Sequence, residues 1–190
     1  MTETRTHLHT VLTDLADVVG GVGDDQWRTR TPCSEFDVDA LVDHVAGWST
    51  TFATGYADPE GRAPGGPTAV EGDRAAAIRT AADRMDEALA AGAAQRPLSL
   101  GGAAMPGEMA LSMILWEYQV HGWDLATALG RPWSPDPEGL EASLAFAPMM
   151  LTDDYQGEGK PFAARVPVAA DAPALDRLVA ISGRDPHWSA

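Results

Sequence analysis

The sequence predicts an all-α protein, a four-helix bundle with short additional helices toward its C-terminal end. Two observations carry that expectation. Apolar residues recur at spacings of three and four through most of the chain, and strand-like alternation is nearly absent. Glycine and proline cluster between the periodic stretches, which places turns there. RVPVA, at 165–169, is the single weak strand candidate. The 190 residues are expected to form one domain, 1–190, with the bundle over about 4–130 and an extension over about 131–190.

The first helix is expected over 4–20, where Leu8, Val11, Leu12, Leu15, Val18 and Val19 form one apolar face and Gly20, Gly21 and Gly23 end it. A connector over 24–36 holds Trp27 and the turn-like TPCS. The second helix starts near Asp37, a residue type suited to capping, and runs to about Ala53 with Leu41, His44, Val45, Trp48 and Phe52 on one face. GRAPGGP lies in 55–70, a stretch with little that can pack, and a mobile loop is expected there. The third helix covers about 71–92, and residues 93–105 connect onward through Gly101 and Gly102.

Pro106 opens the fourth helix, since a missing N–H costs nothing in a first turn. That helix runs to about Leu129 and is stopped by Gly130 and Pro132. Shorter helices are expected at 136–150 and, after a loop over 152–167, at 173–182.

Composition narrows the function classes. The net charge of −15, with no run of Lys or Arg, repels nucleic acid and anionic membrane surfaces. No apolar run approaches the roughly 20 residues that span a bilayer. The opening MTETRTHLHTVLTDLADVV carries acids and histidines where a secretory signal carries basic and then apolar residues. Cys33 is the lone cysteine, so no intramolecular disulfide forms, in keeping with a reducing compartment. A cytoplasmic protein is expected.

The chemistry concentrates in LWEYQVHGWDL, 115–125. Glu117 and His121 stand four residues apart, hence on one face of an otherwise apolar helix. A carboxylate and an imidazole aimed at a core are costly unless paired or bound to something. One reading is a divalent metal; the other is an ordinary i,i+4 polar pair. A catalytic metal site normally takes three protein ligands and leaves a position open. His44, on the apolar stripe with Leu41 and Trp48, is the best supplier of the third. Two nitrogens and a carboxylate suit zinc, nickel or iron(II) better than magnesium or calcium. Asp124, three residues past His121, either orients a histidine N–H from behind or pairs with Arg131 or another arginine.

TPCSEFDVDALVDHVAGW (31–48), WEYQVHGWDLATALGRP (116–132) and VPVAADAPALDRLVAISGRDPHW (166–188) resemble the actinobacterial DinB-like metal-binding proteins. These are related to the metal-binding N-terminal domain of mycothiol-dependent maleylpyruvate isomerase. The resemblance implies a four-helix bundle holding a divalent metal, commonly zinc or nickel. Matched residue by residue, the implied ligands are His44, Glu117 and His121. It also implies a thiol cofactor of the mycothiol type at the metal. The isomerase carries an additional C-terminal domain where only a short helix follows the bundle here, which counts against isomerase activity itself.

Two functions follow as expectations. One is a metal-dependent thiol transferase-like enzyme joining a low-molecular-weight thiol to an electrophilic small molecule, with Asp124 the single strong candidate for acid–base work. The other is a metal- or small-ligand-binding bundle without turnover. A homodimer is compatible with either, the six tryptophans being able to supply an interface, although Trp48, Trp116 and Trp123 read as core.

Other residues read more plainly. Cys33 is expected to pack in a turn, reaching a metal only if the connector folds inward. His7 and His9, two apart, face different directions on a helix. His187 belongs to a packed C-terminal end, Arg131 to a helix C-terminus, and Ser34 and Asp37 to a helix start. The glycines of 61–66 lack the following Lys-Ser/Thr of a phosphate loop.

Overall fold

Leu8, Leu12 and Leu15 are almost wholly buried along one side of α1 (Thr2–Gly20), as their spacing requires. The computed structural model describes residues 2–160 and 162–189, and in it α1 joins α2 (Val38–Ala57), α3 (Arg74–Ala90) and α4 (Gly107–Ala128) in a DinB-like four-helix bundle. α3 packs against both α1 and α2, and α4 against α1. α2 and α4 approach each other less closely, and that gap holds the site described below.

The helix starts follow capping chemistry. Asp37 accepts from the Ala40 N–H at 2.9 Å, as expected of it. Asp73 accepts from Ala76 at 3.0 Å, which delays α3 to Arg74 from the 71 expected. α5 (Pro137–Met150) is capped by Asp136, and α6 (Ala174–Ile181) ends before Gly183, whose φ of 82° suits glycine alone. Trp116, Val120, Leu140, Ala147, Leu151 and Leu178 form a second apolar cluster that fastens α5 and α6 to α4.

Two sequence expectations are corrected. The stretch 55–70 makes specific contacts, although most of it beyond Tyr56 is exposed or half-buried: α2 runs on to Ala57, and the Thr51 hydroxyl meets the Gly66 carbonyl and the Thr68 hydroxyl, each at 2.9 Å. Arg96 adds bonds to the Tyr56 and Asp58 carbonyls. Three very short strands also form where none was expected: β1 (Arg62–Ala63), β2 (Leu98–Leu100) and β3 (Ala103–Met105). β1 runs parallel to β2, and β2 turns back on β3 through Gly101 and Gly102, both with positive φ. Strands of two or three residues are too short to print an alternation of period two. RVPVA is no strand; Val166 makes one backbone bond, to the Ala180 carbonyl. No helix among the described residues is long and apolar enough to cross a membrane.

Candidate metal centre

Between α2 and α4 lies a cavity of about 760 Å³. Each helix presents it with a stripe at i,i+4 spacing: His44, Trp48 and Phe52 from α2, and His121, Glu117 and Met113 from α4. The stripes are polar at one end and apolar at the other. At the polar end, one ligand-type atom each from His44, Glu117 and His121 lies within 4.8 Å of the others. The two imidazoles meet edge to face, with centroids 5.1 Å apart. The three residues named from the sequence are thus brought together, and two ring nitrogens with one carboxylate oxygen at such separations fit a single divalent cation of the transition series.

The two imidazoles differ in protonation. Burial, helped by the neighbouring His121, pushes His44 down to about 4, so its imidazole is neutral and free to donate a lone pair. Burial also opposes charge on His121, yet hydrogen bonds to Asp124 and Glu117 outweigh it and lift this residue to about 8. Its Nδ1 lies 3.1 Å from Asp124 Oδ2, and its Nε2 lies 3.3 Å from Glu117 Oε2. Burial works against the Glu117 and Asp124 carboxylates as well, but His121 holds both below the ordinary range. Ionised carboxylates only accept, so in the metal-free chain Nδ1 donates to Asp124 and Nε2 donates to Glu117, and a cation at the donors takes the place of the Nε2 proton.

Asp124 is fully buried, and the structure joins the two roles open to it in the sequence. Besides His121 it binds an arginine, which is Arg184 and not Arg131: Nη2 lies 3.1 Å from Oδ2 and Nε 3.4 Å from Oδ1. Arg184 Nη1 also donates to the Ser182 carbonyl at 2.8 Å. Arg131 instead donates to the Val18 and Gly21 carbonyls, neutralising the C-terminal end of α1.

Sequence reasoning missed Arg184. Its one signal is the GRDP that follows α6, which reads as a plain helix stop. The same segment closes the cavity: Gly183 passes so near Ala163 that a Cβ there would sit 2.8 Å from the Ala163 Cβ. Phe162 packs on Trp116 with centroids 5.8 Å apart, and Trp116 donates to the Ser182 hydroxyl at 2.9 Å.

The 24–36 connector does fold inward. Thr31 donates to the Cys33 and Phe36 carbonyls, and Val38 N–H returns to Thr29. Cys33 and Phe36 consequently line the cavity, with Phe36 5.0 Å from the His44 ring. Cys33 falls within 4.8 Å of His121 and Asp124 ligand atoms, and burial raises its thiol above the ordinary value, so it stands there protonated. His7 and His9 are spent elsewhere, facing Asp136 at 3.5 Å and Asp83 at 3.0 Å. His187 stays exposed, and Ser34 sits exposed at the cavity rim. Trp116 and Trp123 are core residues, as read, whereas Trp48 is half-buried in the cavity wall.

Residues 8–126 match the family described as mycothiol maleylpyruvate isomerase N-terminal domain. Uncharacterized proteins from two strains of Mycobacterium tuberculosis are 32% identical over 171 residues, covering 90% of this chain and 91% of theirs. No solved structure gives a significant match.

Proposed function

The chain belongs to the mycothiol maleylpyruvate isomerase N-terminal domain family, and on that premise we propose that it is a metal-dependent thiol transferase acting on a small molecule. One observation carries the reading: three donors, His44, Glu117 and His121, converge on a largely aromatic and apolar cavity large enough for two small reactants. Zinc or nickel is the proposed metal, a low-molecular-weight thiol of the mycothiol type its co-substrate, and the cytoplasm its place of work.

A divalent cation in this site supplies a thiolate at neutral pH by lowering the pKa of a thiol that reaches it. The protein's own residues do the rest. Asp124 fixes the His121 ring with Nε2 inward. Asp124 is committed to both His121 and Arg184 and is not free to act as a general base. That favours thiol chemistry, where a thiol bound at a cation would lose its proton to solvent at neutral pH, over hydrolysis.

The test is elemental analysis of untagged protein beside His44→Ala and His121→Ala, followed by thiol consumption in the presence of an electrophile. Near-stoichiometric metal in the wild type, its loss in both variants and metal-dependent thiol consumption are expected. Metal without consumption of any thiol would leave a binding protein without turnover. No metal uptake at all would end the reading.

A further inference from the structure

We infer that the cavity is built to hold a flat aromatic molecule, with the ring one helical turn outward from the His44–Glu117–His121 donors. As the electrophile of the reaction, this ligand rests on the function proposed above. As a binding event it does not.

The argument begins with the two stripes. Along α2 the side chain one turn beyond His44 is Trp48, and two turns beyond is Phe52. A step of four residues advances about 6 Å along a helix, so Trp48 stands about 6 Å and Phe52 about 12 Å beyond His44 along α2, and Phe36, 5.0 Å from the His44 ring, adds aromatic surface beside the donors. Trp48 and Phe52 are stacked, centroids 5.4 Å apart and planes inclined by 26°, so the buried Phe52 braces the half-buried Trp48 ring in the wall. A second pair, Trp116 and Phe162, comes from α4 and from the segment that follows α5. All four rings line the same cavity. Ring faces and edges select other rings over saturated groups of equal size, by roughly two- to tenfold for each favourable pair.

Charge excludes the obvious competitor. Arg184 is paired with Asp124, and the exposed Lys160 shares the wall with Glu35 and Glu158, so the wall offers no excess of positive charge to clamp an anion. The recognised body of the ligand is therefore its ring. Of the four rings, Phe162 alone lies outside residues 8–126, the part matched to the family.

The test is an NMR titration of the full chain with nitrobenzene and with nitrocyclohexane, which share a polar group and differ in ring character. It is run on metal-loaded and metal-depleted protein, and repeated with Trp48→Leu and Phe162→Leu, which keep apolar bulk. Nitrobenzene is expected to bind at least tenfold more tightly than nitrocyclohexane in both forms of the wild type, and each variant to cut that preference at least threefold with the melting temperature little changed. Equal affinity of the two ligands in the wild type would overturn the inference without any appeal to the variants. So would a preference that neither variant alters. Selective ring binding in a chain that takes up no metal would sink the proposed function and leave this inference standing. Thiol transfer without ring preference would do the reverse.

Discussion

Asp124 holds Nδ1 of His121 at 3.1 Å from a position that is itself wholly buried. Three residues apart on α4, the two are locked in one orientation by the helix, so the carboxylate fixes both the tautomer and the direction of the opposite nitrogen. Asp124→Asn keeps the shape and removes the charge. It is expected to weaken metal binding about 10- to 100-fold, in line with other carboxylates placed behind a histidine ligand. Competition against a chromophoric chelator measures this, and an unchanged affinity would reduce Asp124 to a counter-ion for Arg184.

Arg184 ties the C-terminal extension to that same carboxylate. Arg184→Ala leaves a buried charge with half its partners gone, at an expected cost of about 3–5 kcal/mol. For a chain of this size that lowers the melting temperature by on the order of 10 °C. The double variant Asp124→Asn/Arg184→Met, with no stranded charge, should recover part of the loss. A single-variant cost below about 1 kcal/mol would mean that water reaches the pair freely.

The parts of this site legible in the sequence were those set by local periodicity. Glu117 and His121 declare themselves through a four-residue spacing on an apolar helix, and His44 through its place on the stripe of Leu41 and Trp48. Arg184 has no such signature, because its link to Asp124 spans sixty residues and depends on how the segment after α6 returns over the bundle. The 55–70 stretch misled for a related reason: glycine and proline report backbone freedom, whereas the Thr51 and Thr68 hydroxyls that remove it act across 17 residues. Cys33 was read as packing, and only the fold of the connector shows it facing the cavity.

Gly122 follows His121 in α4 and faces Trp133. A Cβ at this position would come 2.0 Å from the Trp133 ring, whose Nε1 is tethered to the Gln119 carbonyl at 2.9 Å. Gly122→Ala gains about 1 kcal/mol in helix propensity but incurs about 1–3 kcal/mol of overpacking against a ring that cannot swing away. A net loss of up to about 2 kcal/mol in chemical denaturation is expected, with a change in the near-ultraviolet tryptophan spectrum. A stabilised variant would show that the Trp133 ring yields easily.

The last prediction concerns protons. His121 is lifted to about 8 by Asp124 and Glu117 against its burial, while burial pushes His44 down to about 4. At pH 7 the metal-free chain therefore holds a proton on His121 Nε2 that a cation must displace, and none that must leave a His44 nitrogen. Metal binding at pH 7 should release close to one proton, seen by calorimetry in buffers of different ionisation enthalpy. Affinity should fall about tenfold for each pH unit below about 8. Stability of the metal-free chain runs the other way. A histidine whose folded pKa is raised stabilises fully below its unfolded value, near 6.5, and that contribution fades as pH rises through about 8. His44, depressed on folding, adds a smaller slope of opposite sign near pH 6.5, which vanishes by about pH 8 and does not outweigh the loss at His121. Between pH 6.5 and 8 the metal-free protein should thus soften while metal affinity climbs. Parallel trends, or binding without proton release, would mean that His121 is neutral before the metal arrives and that its bonds to Asp124 and Glu117 do not hold a charge.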